Sequence, residues 1–286
     1  MGVGFFLKRM NMVGDHFQAD LSAYVMKIAL PLFILSGTMV DIPRDIYHLV
    51  LQMFLISIGY FVVAIILSKG VGGFFKLLHE HKGPYEFASI FSNIGFMGYP
   101  IVQMLLGDSA IIYVAIFNIT FNIVMWSYGV SIFSGGFELK LNKILSPQLV
   151  AAVLGITMAF LGIELPALLK PFITTLGSTA TPFAMIILGM MVSNIHYKEF
   201  FEDIRYFIMS GYRLIIMPAI TYGLLYLLGF REEMLALPVI LAGMPVATNG
   251  VVICLFYKKD VPTMAKIVVI STLLFLLMVP IYAIIF

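Results

Sequence analysis

The sequence predicts an all-α polytopic membrane protein of ten helices, arranged as two inverted five-helix repeats whose fourth and ninth helices are interrupted. Three observations carry that prediction. Hydrophobic residues make up 61% and charged residues 11% of the 286, whereas a soluble domain is about half apolar and about a quarter charged. The mean hydropathy is +1.04, so the solvent for burial is lipid. Finally, several landmarks recur at an offset of about 152 residues, near half the chain length.

The first apolar piece, 1–7, is too short to span, since a crossing needs about 20 residues. Lys8 and Arg9 follow it at once. A signal peptide carries its charge before the apolar run, so this piece reads as the tail of a truncated first helix. Nine full candidates follow, at about 20–40, 46–68, 85–107, 109–133, 147–163, 171–194, 204–229, 232–257 and 261–286. The first repeat takes residues 1–133 and the second 147–286, joined by a short loop at 134–146.

Orientation follows from lysine and arginine in the connections. Odd-numbered connections hold Lys8, Arg9, Lys69, Lys76, Lys82, Lys140, Lys143, Lys198, Arg205, Lys258 and Lys259, against Arg44, Lys170 and Arg231 in the even ones. Odd loops are therefore expected in the cytoplasm of a multi-pass cell-membrane protein, with both termini extracytoplasmic. At the 152-residue offset, Gly37 meets Gly189, Gly98 meets Gly250 and Asp108 meets Asp260, while Pro31 falls one residue from Pro182. Each Asp is expected to cap the next helix. Five helices per repeat is odd, so the repeats enter from opposite sides.

The chemistry is expected at two stretches, S-N-I-G-F-M-G-Y-P at 92–100 and G-M-P-V-A-T-N-G at 243–250. Helix breakers at membrane depth survive only where they face protein or a cavity. Gly95, Gly98 and Pro100 are expected to unwind about two turns of helix. Ser92 and Asn93 supply polar groups in the first stretch, and Thr248 and Asn249 in the second. The half-helices expected to start near Pro100 and Pro245 point positive dipole ends inward, which favours an anionic group such as a carboxylate.

Ionisable residues within spans are functional candidates. Lys27 and Lys266 read as snorkelling residues near helix ends, and Glu86 lies near a cytoplasmic end. Arg213 is deeper and admits two readings, a hold on a carboxylate at the inner mouth or a structural pairing with a neighbouring carbonyl. No Asp, Glu or His falls mid-membrane, so proton coupling through a buried carboxylate is not supported. A sodium site of backbone carbonyls with Asn or Thr oxygens stays open. The polar run 174–182 reads as close helix packing. Tyr60, Tyr99, Tyr113 and Tyr128 read as interfacial or packing residues, and Cys254 as a small buried hydrophobe. His79 and His81 lack an evident third metal ligand. The sequence calls for no cofactor, no metal and no catalytic residues. It offers no nucleic-acid patch, no P-loop and no soluble nucleotide domain.

At S-N-I-G-F-M-G-Y-P-I and G-M-P-V-A-T-N-G the sequence resembles the auxin efflux carrier family of secondary transporters, in its bacterial, short-loop form. The resemblance runs over the chain apart from most of helix one. It implies a fold like that of the bile-acid sodium symporters and sodium-proton antiporters, with helices four and nine broken and crossed. It implies a scaffold from helices 1, 2, 6 and 7, a transport domain from the rest, and homodimers through the scaffold. It also implies a substrate site at the crossover, with Asn93 contacting the carboxylate of a dicarboxylate such as malate or malonate. The expected function is elevator-type transport of small organic anions. Site residues are Ser92, Asn93, Gly98, Pro100, Pro245, Thr248 and Asn249, with Arg213 on the substrate path. The alternatives are a sodium symporter for a larger amphipathic anion and a non-transporting anion sensor.

Overall fold

The computed structural model describes residues 2–14, 16–38, 47–74, 79–134, 136, 145–163, 165–193 and 203–285. Their regular structure is helical apart from one isolated β-bridge. In chain order the helices are α1 (Gly2–Arg9), α2 (Phe17–Thr38), α3 (Tyr47–Phe74), α4 (His79–Ile90), α5 (Ile94–Leu106), α6 (Asp108–Ser134) and α7 (Pro147–Leu161). Then come α8 (Leu169–Ser178), α9 (Ala180–Ser193), α10 (Ile204–Leu227), α11 (Glu232–Ala242), α12 (Asn249–Phe256) and α13 (Val261–Ile285).

Among the described residues five helices are long and apolar enough to cross a membrane: Phe17–Thr38, His48–Val71, Asp108–Ser134, Ile204–Leu227 and Val261–Ile285. The expected span at 85–107 is divided between α4 and α5, and that at 232–257 between α11 and α12, so no half reaches crossing length alone. The expected span at 171–194 is likewise divided at Thr179 into α8 and α9. Residues such as Ile66, Leu154, Leu227 and Ile284 point apolar side chains outward, as a surface solvated by lipid requires.

Local chemistry sets several ends. Ser146 accepts a hydrogen bond from the Leu149 N–H (3.2 Å) ahead of Pro147, and Asp203 accepts one from the Arg205 N–H (2.9 Å) at the start of α10. The Arg205 side chain also donates to Asp203 and holds that carboxyl below the usual carboxylate range. Asp260 caps α13 as expected, accepting from the Thr263 N–H (3.2 Å). Asp108 does not cap: a short 3-10 turn opens α6, and the Asp108 carboxylate accepts instead from the Gln103 side chain (2.8 Å).

Helix packing comes in matching pairs. The N-terminal α1 lies on α9, and α7 lies on the second half of α2. Both contacts are close because each has a glycine at the crossing. A Cβ on Gly4 would collide with the backbone of Ile186, and one on Gly155 with Thr38. In the same way α3 packs on α4 as α10 does on α11, α3 on α6 as α10 on α13, and α5 on α6 as α12 on α13. An apolar groove of about 360 Å³ runs between α3 and α10, lined by residues including Leu55, Tyr60, Met217 and Phe230.

In the polar run at 174–182, Thr174, Ser178 and Thr179 return their hydroxyls to carbonyls of α8, and a Cβ on Gly177 would meet the Phe33 backbone. Cys254 is buried. The loop at 134–146 lies largely outside the described residues, as do 39–46, 75–78, 194–202 and the side chains of His79 and His81.

Candidate functional site

The two breaker-rich stretches meet. Residues 91–93 leave the helix between α4 and α5, and 243–248 do so between α11 and α12. Ser92 and Val246 form an antiparallel bridge. The Asn93 N–H donates to the Pro245 carbonyl (2.7 Å), and the Ala247 N–H donates to the Phe91 carbonyl (3.0 Å). Each extended piece thus satisfies backbone groups of the other, at a depth where Ser92 and Val246 have no solvent exposure. The Val246 N–H is taken by the Ser271 hydroxyl of α13 (3.1 Å). Gly243 permits this approach, since a Cβ there would overlap the Tyr282 ring.

The breaks are shorter than the glycine and proline content suggests, and they lie elsewhere. The second half of the first stretch begins at Ile94, not near Pro100. Gly95 and Gly98 fall in a π turn over Ile94–Gly98, and Pro100 follows in the first turn of the α-helical part. A proline ring clashes with the carbonyl four residues back in a regular α-helix. The wider π turn displaces that carbonyl, so Pro100 is carried inside a continuous helix. Pro245 is likewise not a helix start. It stands in the extended piece, and α12 begins at Asn249 after Thr248.

Four helix ends therefore converge. The C-terminal ends of α4 and α11 present carbonyls, and the N-terminal ends of α5 and α12 present N–H groups. The Asn93 carbonyl starts α5 by accepting from Met97 and Gly98 (both 3.1 Å). The Asn93 side chain is 5% exposed, and neither its Nδ2 nor the Ser92 Oγ has a protein hydrogen-bond partner. The Tyr99 hydroxyl and the Asn118 Oδ1 are two more buried polar atoms without a protein partner. Buried polar groups are nearly always paired, so this concentration of unpaired ones marks the spot.

Arg213 is fully buried near the middle of α10. It donates to the carbonyls of Ser89 (3.1 Å) and Ile90 (3.3 Å) at the end of α4, to the Met244 carbonyl (3.4 Å), and to the Tyr60 hydroxyl (2.7 Å). Pairing with carbonyls is observed, and it takes place at the paired interruptions. An arginine at the bilayer centre costs about 2.5–3.5 kcal/mol on insertion scales. A hydrogen bond to a charged group contributes about 1.5–3 kcal/mol. Four such bonds outweigh the cost, which explains how the charge is tolerated without an acid beside it.

The sequence reading missed α6 as a wall of the site. Asn118 lies beside Gly95, 3.9 Å from where a Cβ on that glycine would be. The Asn122 side chain donates to the Asn118 carbonyl (2.7 Å), and Thr120 meets Ser57 (2.6 Å). Seven residues on from Asn118, about 10 Å along the helix, the Met125 sulfur accepts from the Asn249 side chain (3.3 Å). One helix thus passes both half-helix starts. The available signal was N-I-T-F-N at 118–122, two amides one turn apart in an apolar span. Tyr60, assigned to packing, also holds Arg213. Gly98 packs on Leu241, and Thr248 and Asn249 are half-buried. Among the described residues no His, Cys, Asp and Glu cluster could hold a metal ion.

Comparison with known proteins places the chain. The model of the membrane transport protein family matches residues 1–139 and again 136–283. An uncharacterized transporter of Methanothermobacter thermautotrophicus is 24% identical over 99% of this chain and 94% of its own length. An uncharacterized transporter of Methanocaldococcus jannaschii is 25% identical over 98% and 93%. A Rhizobium meliloti protein that carries the name "Putative malonate transporter" is 26% identical over 77% of this chain and 72% of its own. A multi-pass apolar chain whose matches run from end to end has one assignment: it belongs to the auxin efflux carrier family of membrane transport proteins.

Proposed function

We propose that this family member is a secondary transporter of small organic anions, malate, malonate and similar carboxylates being the substrate class. The observation that carries the reading is the convergence of the α5 and α12 N-termini and a buried Arg213 on one pair of interruptions, with no acid among the hydrogen-bond partners of Arg213. Two positive helix ends and one guanidinium make surroundings that prefer negative charge. Asn93, Asn118 and Asn249 supply amides that orient a carboxylate between them. The name of the Rhizobium meliloti relative points to the same substrate class.

The architecture proposed with it has ten transmembrane helices in two inverted repeats, 1–133 and 147–286, crossed at the interruptions. The paired contacts of α1 on α9 with α7 on α2, and of α3 on α4 with α10 on α11, support that relation. Transport proceeds by elevator-type alternating access, as the interruptions move with their carboxylate past a scaffold that forms a homodimer in the cell membrane. Both termini are extracytoplasmic.

The test is counterflow of labelled malonate and malate into proteoliposomes preloaded with the same acids. Asn93→Ala is expected to lower flux by roughly tenfold, the worth of one lost hydrogen bond to a charged group, with the protein still folded. Flux equal to wild type in that variant would overturn the site.

A further inference from the structure

We infer that Arg213 is a resident cation of the transport site: its guanidinium fills an oxygen cage that would otherwise bind a free monovalent cation. The inference rests on the transporter reading for its meaning but on geometry for its substance. The Arg213 nitrogens are surrounded by four uncharged oxygens, the carbonyls of Ser89, Ile90 and Met244 and the hydroxyl of Tyr60. The first two carbonyls form the negative end of α4, and the third belongs to the other interruption. Half-helix C-terminal ends and unwound carbonyls are the donor set with which transporters of interrupted-helix architecture hold a coupling sodium ion. Here that set is taken by a charge tethered to the protein.

The second interruption gives the control. The α11 end closes on itself, because Gly243 donates to Val239 and Ile240, and Met244 donates to Leu241. The residue 152 positions before Arg213 is Phe61, which packs among Phe91, Phe117 and Phe121. Tyr60 and Tyr212 stand at the same offset, so the two sites share a frame and differ at the cation. One tethered charge serves the pair. It does two things at once: it holds the two interruptions together from the carbonyl side, and it leaves positive charge beside the helix N-termini where an anion is held.

The consequence is an exchange of tethered for free cation. Arg213→Ala empties the cage and makes a site for guanidinium or sodium. The first readout is thermal unfolding of purified protein with no carboxylate present, so it does not depend on the transport reading. Guanidinium chloride at low millimolar concentration is expected to raise the Tm of Arg213→Ala saturably and to leave that of wild type unchanged. The second readout is malonate counterflow. Wild-type flux is expected to be equal in sodium and choline media, while Arg213→Ala loses flux in choline and recovers part of it with sodium or guanidinium. A folded Arg213→Ala whose Tm and flux ignore both cations overturns the inference, as does wild-type flux that disappears without sodium. If Arg213→Ala does not fold, Arg213→Lys is compared with Arg213→Met. Retained fold in the lysine variant and loss in the methionine variant support a cation role, and the opposite order overturns it. Wild type that carries no carboxylate removes the organic-anion reading and leaves the unfolding measurement to decide the cage.

Discussion

Arg213 and Tyr60 show how a charge is kept at membrane depth. Among the described residues the guanidinium has no acid partner, so its solvation comes from four neutral oxygens held at fixed positions. Losing one of them matters more than it would in water, because nothing else can replace it. Tyr60→Phe is therefore expected to destabilise the protein by about 1–3 kcal/mol, the cost of leaving a buried donor unpaired, read as a lowered Tm in detergent. An unchanged Tm would mean that the Tyr60 hydroxyl does not help to solvate the charge. Asn93 differs in kind. Its backbone N–H is committed to Pro245, but its side-chain amide has no protein partner, so Asn93→Ala is expected to weaken carboxylate binding with little loss of stability. Isothermal titration with malonate checks it, and affinity equal to wild type would remove Asn93 from the site.

The helices fit together through a few close approaches and a few irregular turns. α1 is only eight residues long, yet it packs along α9 because Gly4 lets the two backbones meet. Gly4→Ala is expected to cost about 1–3 kcal/mol, as overpacking does, and to loosen α1 from α9. Faster proteolysis near residue 10 together with a lower Tm would register it, and wild-type values for both would show that α1 is not held by this contact. The π turns act on side-chain direction rather than on backbone approach. Those in α5, α6 and α10 begin at Ile94, Met125 and Tyr212, and they carry or adjoin Asn93, Met125 and Arg213. A π turn inserts a residue without ending the helix. It turns side chains off the regular stripe, which is how an arginine in an apolar helix comes to point at the end of another.

For the molecule as a whole, the proposed orientation follows from charge in the connections and is open to a direct check. The native cysteine Cys254 is buried, so single introduced cysteines report cleanly. Lys259→Cys is expected to react with a membrane-impermeant maleimide only from the cytoplasmic side, and Arg231→Cys only from outside. The reverse pattern would invert the topology, and labelling of both from one side would contradict an α11–α12 pair that crosses the membrane.

The sequence by itself determined that the chain is an all-helical membrane protein, and it located the two stretches, 92–100 and 243–250, in which the proposed site lies with Asn93 and Asn249. Composition and helix breakers in apolar runs are properties of the chain alone, and lipid makes them decisive because an unpaired backbone group there is so costly. Tertiary structure decided the rest. Pro100 and Pro245 looked like helix starts, but whether a proline ends a helix depends on where the carbonyl four residues back can go, and a π turn and an extended bridge answered that differently from the local signal. Tyr60 had no distinguishing spacing, and the paired amides Asn118 and Asn122 did not say what they would face, because those roles come from what α3 and α6 pack against. Arg213 kept two readings in the sequence for the same reason. A buried charge is defined by its partners, and three of the four are backbone oxygens of segments more than 30 and more than 120 residues away, brought together only when the two interruptions pair.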